Sequence, residues 1–194
     1  MNKIIFIIGM RRSGTSILRS LIMQHPKVEN IEFEPNELFE ITERIDIARY
    51  RNNKFYNATL DRFRRDESYY GAKLAVNPGI EAMRWKNLIK KFPEAKFIFI
   101  KRNATNTYKS WVYNETSERG VCSYELYKPW WDFINKSFLD FSMYNPSKAV
   151  VLDYEDILKT PDKELQKVWK LLKIKSDIPS VKSLIHKPKW GSNG

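Results

Sequence analysis

Apolar residues along this chain follow two spacings, and each spacing predicts a kind of element. Ile4 to Ile8 is an unbroken apolar run rich in β-branched side chains, the pattern of a strand buried on both faces of a sheet. Lys96 to Ile100 repeats that pattern, and Val28–Phe33, Tyr70–Val76 and Ala149–Leu152 read as further short strands. Between them apolar positions return every three or four residues, the signature of one buried helix face. Ile17, Leu18, Leu21 and Ile22 mark the first such helix, and Leu38, Ile41, Ile45 and Ala48 mark another over about residues 36–51. Glu81–Phe92 predicts a helix ended by Pro93, Ala104–Asn114 a second, and Ser123–Tyr144 a long one dense in aromatic residues. Thr160-Pro161 offers an N-cap and a proline at the first helical position. It opens a helix striped by Leu165, Val168, Trp169 and Leu172. Asn52 to Tyr70 is polar and basic and reads as helix and loop.

Strands alternating with helices imply a parallel sheet covered on both faces. The expected fold is α/β, three layers deep, with about four or five strands flanked by helices. No repeat, low-complexity tract or linker interrupts the chain, so its 194 residues predict a single domain over 1–194. Ligands of such sheets sit beyond the C-terminal ends of the strands. Chemistry is therefore expected in the segments that follow Ile8, Phe33, Val76, Ile100 and Leu152.

Composition narrows the classes. Hydrophobic content of 42% with 14% aromatic residues excludes a disordered chain. No run is long enough to span a bilayer, and Ile4–Ile8 is short for the apolar segment of a signal peptide. The single cysteine, Cys122, excludes an internal disulfide framework and suits a reducing compartment, so a cytoplasmic location is expected. The formal net charge of +11 has two readings. One is a nucleic-acid or anionic-surface partner; the other is a site for several phosphate and sulfate groups. The basic residues are spread along the chain and no nucleic-acid reader motif accompanies them, so no specific nucleic acid is expected.

The segment after the first strand decides between these. Gly9-Met10-Arg11-Arg12-Ser13-Gly14 joins a strand to a helix N-terminus, whose first amides have no partners within the helix and can hold an anion. A nucleoside-triphosphate loop reads GxxxxGK[ST], its Lys on the phosphates and its hydroxyl on Mg²⁺. Gly9 and Gly14 keep that spacing, but Thr15 stands where the Lys belongs, and the positive charge has moved to Arg11 and Arg12. A P-loop small-molecule kinase is the alternative that this departure weighs against. Guanidinium groups suit phosphate and sulfate oxygens through forked hydrogen bonds.

RRSGTS, followed by an apolar helix and His25-Pro26, resembles the 5′-phosphosulfate loop of sulfotransferases that use 3′-phosphoadenosine 5′-phosphosulfate (PAPS). The likeness is strongest to tyrosylprotein and related bacterial or carbohydrate sulfotransferases. That loop reads approximately (P)[KR]SGT[TS], so Arg12 takes the Lys/Arg position and Arg11 stands where Pro is usual. The resemblance implies a P-loop-type fold and a nucleotide site that includes Arg11, Arg12, Ser13, Gly14, Thr15 and Ser16, with Arg12 also catalytic. Lys96 to Trp111 resembles the family's 3′-phosphate motif, in which seven residues separate an Arg from a Ser, as they separate Arg102 from Ser110. Asn103-Ala104 departs from the Asp-Pro often found there, though Asn103 can cap the following helix. VVLDYEDIL resembles a third segment and would bring Tyr154 near the nucleotide.

The same resemblance implies roles for acidic and basic residues between and after these motifs. Glu34 is the candidate general base, able to take the proton of an attacking hydroxyl; Glu32, Glu37 and His186 offer the same chemistry. Lys73 would stand near the transferring group. Lys189, in the basic tail, is a candidate nucleotide contact, with Ser183 beside it. His25 is expected to cap a helix C-terminus as a cation. Tyr124, Tyr127, Trp130 and Trp131 are candidates for an acceptor pocket, against the preferred alternative that they pack their helix on the core. The implied activity is transfer of a sulfuryl group from PAPS to an acceptor hydroxyl, carbohydrate among the candidates, leaving 3′-phosphoadenosine 5′-phosphate (PAP). No metal is expected, and a basic nucleic-acid-binding protein remains the second alternative.

Overall fold

A computed structural model describes residues 3–33, 68–78, 85–114 and 122–175. Its strands are β1 (Ile4–Met10), β2 (Val28–Phe33), β3 (Tyr69–Val76), β4 (Lys96–Lys101) and β5 (Ala149–Asp153). The described helices are α1 (Thr15–Ile22), α2 (Trp85–Lys91), α3 (Ala104–Asn114), α4 (Tyr124–Tyr144), α5 (Tyr154–Lys159) and α6 (Pro161–Leu172). The five strands form one sheet in the order β2-β3-β1-β4-β5, and every neighbouring pair is parallel. This is the expected α/β architecture, a five-stranded parallel sheet between helical layers.

β1 lies at the centre, and all seven of its residues are buried. Successive side chains of a strand point to opposite faces, so β1 supplies both halves of the core. Phe6, Ile8 and Met10 join Phe97, Phe99, Trp85, Leu88, Ile134 and Phe138, beneath α2 and α4. Ile5 and Ile7 join Leu18, Leu21, Ile157, Leu165, Val168 and Trp169, beneath α1, α5 and α6. Phe99 stacks on Phe138 with ring centroids 4.4 Å apart, and Trp85 meets Phe99 edge-on at 5.0 Å. Burying such side chains stabilises by about 1.5–3 kcal/mol each. The core thereby anchors the C-terminal end of β1, where the Gly9–Gly14 loop begins.

Several details differ from the sequence reading. β1 runs to Met10, not Ile8, because β3 and β4 flank it on both sides as far as Gly9 and β3 continues to Met10. Of the helix expected over Glu81–Phe92, the described part is Trp85–Lys91. The helix expected over 36–51, the helix-and-loop stretch over 52–67 and the basic tail lie outside the described residues. Thr160 precedes Pro161 as expected, but its hydroxyl donates to the Asp156 carbonyl at 3.3 Å and makes no cap bond to α6. A single residue separates α5 from α6, and its side chain closes the helix behind it.

His25 is not a cationic cap. Its ring is buried and lies 4.9 Å from that of Trp169. Nδ1 accepts the Lys27 amide at 3.1 Å, and Nε2 faces the Lys175 carbonyl at 2.9 Å. A ring nitrogen that accepts carries no proton, so Nε2–H is the donor and the ring is the neutral tautomer.

Candidate active site

At the top of β1 the chain leaves the sheet as a tight loop. The Arg11 amide donates to the Val76 carbonyl at 3.0 Å, tying the loop to the end of β3, and the Ser13 amide donates to the Met10 carbonyl at 3.0 Å. Arg12 and Gly14 both have positive φ, 68° and 100°. An L side chain is strained at such angles, which is why glycine belongs at position 14. Space requires it as well: a Cβ on Gly14 would come within 2.3 Å of the Tyr154 ring. Gly9 is equally confined, since a Cβ there would lie 2.4 Å from Ser13 Oγ.

The first intrahelical bond of α1 runs from the Leu18 amide to the Gly14 carbonyl at 3.0 Å. The amides of Thr15, Ser16 and Ile17 therefore have no acceptor within the helix, and the helix dipole adds positive potential at the same point. No acidic residue lies in the first turn of α1. Ser13 Oγ is buried and has no hydrogen-bond partner. An anion seated on this helix end would satisfy both the amides and the hydroxyl.

Two basic groups, a hydroxyl and an aromatic ring from elsewhere in the chain converge here. Lys73, in the middle of β3 and 3% exposed, points to the α1 side of the sheet and reaches Ser16 Oγ at 3.5 Å. Arg102 follows the last residue of β4, and its Nη1 donates to the Arg12 carbonyl at 3.1 Å. Its guanidinium lies 4.6 Å from the centre of the Tyr154 ring, within cation–π range. Its Nε is buried without a hydrogen-bond partner. From α3, Ser110 Oγ accepts from Arg12 Nε at 3.4 Å. Tyr154, buried at the start of α5, is the floor against which Gly14 and Arg102 both rest.

Arg12, Ser13, Gly14, Thr15, Ser16, Lys73, Arg102, Ser110 and Tyr154 thus come together around one loop, although they are drawn from positions spread over most of the chain. Arg11 belongs to the loop through its main chain. Glu34 and Lys189 lie outside the described residues, as do Glu37, Ser183 and His186. The aromatic residues of α4 divide. Tyr127 is a core residue, 1% exposed, packed against Tyr108 and Trp111. Burial raises its phenol well above the ordinary range. Trp130 packs on Phe133 at the surface, whereas Trp131 donates its indole N–H to the Arg102 carbonyl at 3.1 Å.

That Trp131 bond, and the one from the Asn103 amide to Glu155 Oε1 at 3.1 Å, escape a reading of the sequence. The available signal was general: a half-buried indole N–H seeks an acceptor. Asn103 does cap α3 as expected, its Oδ1 accepting the Asn106 amide at 3.1 Å. Asp153, the carboxylate that a Mg²⁺-dependent kinase would use, is paired across strands with Lys101 at 3.1 Å. Among the described residues no group of three or more His, Cys, Asp or Glu is placed to hold a metal, and no helix is long and apolar enough to cross a membrane.

A phosphate-type loop at the centre of a parallel α/β sheet, ringed by arginines, places the chain in the P-loop class. Residues 2–188 match the Sulfotransferase domain family, and the chain belongs to it. Among solved structures it is similar to the sulfotransferase domain of the curacin biosynthetic pathway, with 18% identity and a TM-score of 0.61 over 90% of this chain and 75% of that one. It is also similar to a sulfotransferase from Alicyclobacillus acidocaldarius, with 17% identity and a TM-score of 0.58 over 95% of this chain and 86% of that one. A mouse sulfotransferase solved in complex with PAP gives 18% identity and a TM-score of 0.62, over 95% of this chain and 63% of that one. At these identities the likeness speaks to the fold. No curated protein matches the sequence.

Proposed function

We propose that this protein transfers the sulfuryl group of PAPS to an acceptor hydroxyl, with carbohydrate one candidate acceptor. The observation that carries the reading is the junction of two anion-holding devices. The helix N-terminus with Arg12 suits a 5′-phosphate, and Arg102 with Ser110 suits a 3′-phosphate. They are linked by the 3.4 Å contact between Arg12 and Ser110 and the 3.1 Å bond from Arg102 to the Arg12 carbonyl. Two guanidinium groups and a buried ammonium beside a positive helix end suit a ligand with several negative charges.

When bound, PAPS supplies an activated sulfuryl group on a phosphosulfate. The amides of Thr15 to Ile17, with the hydroxyls of Ser13, Thr15 and Ser16, would hold its 5′-phosphate. Arg12 would neutralise charge growing on the departing phosphate oxygen, and Lys73 would do so at the sulfuryl oxygens. Positioning and charge stabilisation of this kind carry group transfer to and from anions. Arg102 and Ser110 would hold the 3′-phosphate that distinguishes PAPS from AMP or ATP; the buried, unpartnered Arg102 Nε is a donor suited to it. Tyr154, beneath both loops, and Lys189, by resemblance, complete the nucleotide site. Glu34, by the same resemblance, would take the proton of the acceptor hydroxyl, with Glu32, Glu37 and His186 as alternatives.

The test is ligand-dependent thermal stability. A hundredfold excess of PAP over its Kd should stabilise the folded state by about 2.7 kcal/mol, about 5–11 °C in Tm for a chain of this size. AMP and ATP with Mg²⁺ should give much smaller shifts at the same concentration. Equal shifts with AMP would remove the 3′-phosphate assignment. A larger shift with ATP and Mg²⁺ would favour a kinase, and salt-dependent binding to arbitrary DNA would favour a nucleic-acid partner.

A further inference from the structure

The peptide group that joins Arg102 to Asn103 belongs to no regular element, whereas the Asn103 carbonyl already accepts the Thr107 amide of α3 at 2.9 Å. The β4–β5 ladder ends at Lys101 opposite Asp153, and α3 begins at Ala104. Main-chain groups outside ladder and helix need other partners, and here they come from both sides of the sheet. From α4, on one face, the Trp131 indole donates to the Arg102 carbonyl at 3.1 Å. From α5, on the other, Glu155 Oε1 accepts the Asn103 amide at 3.1 Å. Thr107 Oγ1 adds only a long 3.4 Å contact to the Arg102 carbonyl, and lies much closer to that of Asn103, at 2.8 Å. Trp131 is itself steadied. Its carbonyl accepts Asn135 Nδ2 at 2.8 Å, and the Lys128 ammonium lies 5.4 Å from its ring centre.

We propose that Trp131, with Glu155, is a positioning residue that clamps the Arg102–Asn103 junction and so sets the selectivity of the nucleotide site for a 3′-phosphate. The inference rests on the assignment of Arg102 made above. Neither side chain touches the nucleotide in this scheme. An arginine side chain has many rotamers, and a guanidinium reads a phosphate only if the root from which it springs is fixed. Stacking on Tyr154 and the bond to the Arg12 carbonyl orient the guanidinium end. Trp131 and Glu155 hold the main-chain end. Loss of either bond lets the junction relax, which weakens binding of a 3′-phosphorylated nucleotide and leaves a nucleotide lacking that group unaffected.

The experiment measures Kd for PAP and for AMP by titration calorimetry on the full chain, for wild type and three variants. Trp131→Phe keeps an aromatic ring and removes the N–H donor. Glu155→Ala removes the acceptor, and Glu155→Gln retains an oxygen that can accept the Asn103 amide. Trp131→Phe and Glu155→Ala are each expected to lower the preference for PAP over AMP about fivefold, the scale of one hydrogen bond, through the PAP affinity. Glu155→Gln should restore most of it, which a merely structural role would not predict. Wild-type preference in both deletion variants, or equal loss of PAP and AMP binding, overturns the clamp. Should Trp131→Phe fail to fold, the Glu155 pair decides the matter in the same way. A wild-type protein with no preference for PAP would instead overturn the assignment of Arg102, and this inference with it.

Discussion

Gly14→Ala tests the steric logic of the loop directly. At φ 100° an L residue is strained by about 1–2 kcal/mol. The added methyl would also stand 2.3 Å from Cδ2 and 2.7 Å from Cε2 of Tyr154. That ring cannot simply swing aside, because Tyr154 is only 6% exposed and carries the Arg102 guanidinium 4.6 Å from its centre. Overpacking of this kind costs about 1–3 kcal/mol. The two effects sum to about 2–5 kcal/mol, which at ~2–4 °C per kcal/mol lowers Tm by about 10 °C. Thermal and urea unfolding of Gly14→Ala, Tyr154→Ala and the double variant form the assay. Removing the ring relieves the clash and leaves the backbone strain, so the double variant should be more stable than the sum of the single losses predicts, by about 1–3 kcal/mol. Additivity within about 0.5 kcal/mol would refute the clash, and a Gly14→Ala protein as stable as wild type would refute the strain as well.

Two further predictions concern charge. Arg12→Ala should lower kcat at least about a hundredfold with a smaller effect on nucleotide affinity, since an interaction with the leaving phosphate strengthens as the bond breaks. Arg12→Lys should recover part of the rate, and Arg11→Ala should cost much less; an essential Arg11 with a dispensable Arg12 would mean that the loop is registered differently. The Tyr69 hydroxyl donates to the Leu172 carbonyl at 2.5 Å, and burial raises its pKa above the ordinary 10.0. The unfolded chain then loses this proton first, so the contribution of Tyr69 is full below about pH 10 and is lost as pH rises through its folded value. Urea unfolding at successive pH values should show a shallower alkaline decline in Tyr69→Phe than in wild type, and an unchanged slope would count against the assignment.

Much of this arrangement was legible in the chain because the interactions that produce it are local. The Ile4 run, the Gly9–Gly14 spacing and the helical stripe that follows are contiguous, and together they predict strand, anion loop and helix N-terminus without knowledge of anything distant. Arg102 and Asn103 at the end of an apolar run, with Ser110 two turns into the next helix, are legible for the same reason. The surroundings of His25 are not legible in the same way, because its ring meets Trp169 and the Lys175 carbonyl, which lie far along the chain. Tyr127 takes the core-packing alternative, but a helix shows its period in sequence and not which of its aromatic residues the sheet will cover.

The sequence by itself determined the kind of elements, their order and the type of anion loop, since side-chain period and glycine spacing act over a few residues. The tertiary structure decided which distant residues meet at that loop. The order β2-β3-β1-β4-β5 puts β1 between β3 and β4, and so brings Lys73 and Arg102 to opposite sides of one helix end. Parallel pairing of β4 with β5 brings Tyr154 beneath Gly14 and Glu155 to Asn103. Packing of α4 on the face of β1 that carries Met10 delivers the Trp131 indole to Arg102. Such contacts join residues tens of positions apart, and no local spacing encodes them; they follow from which strands pair and which helix faces the two halves of the core select.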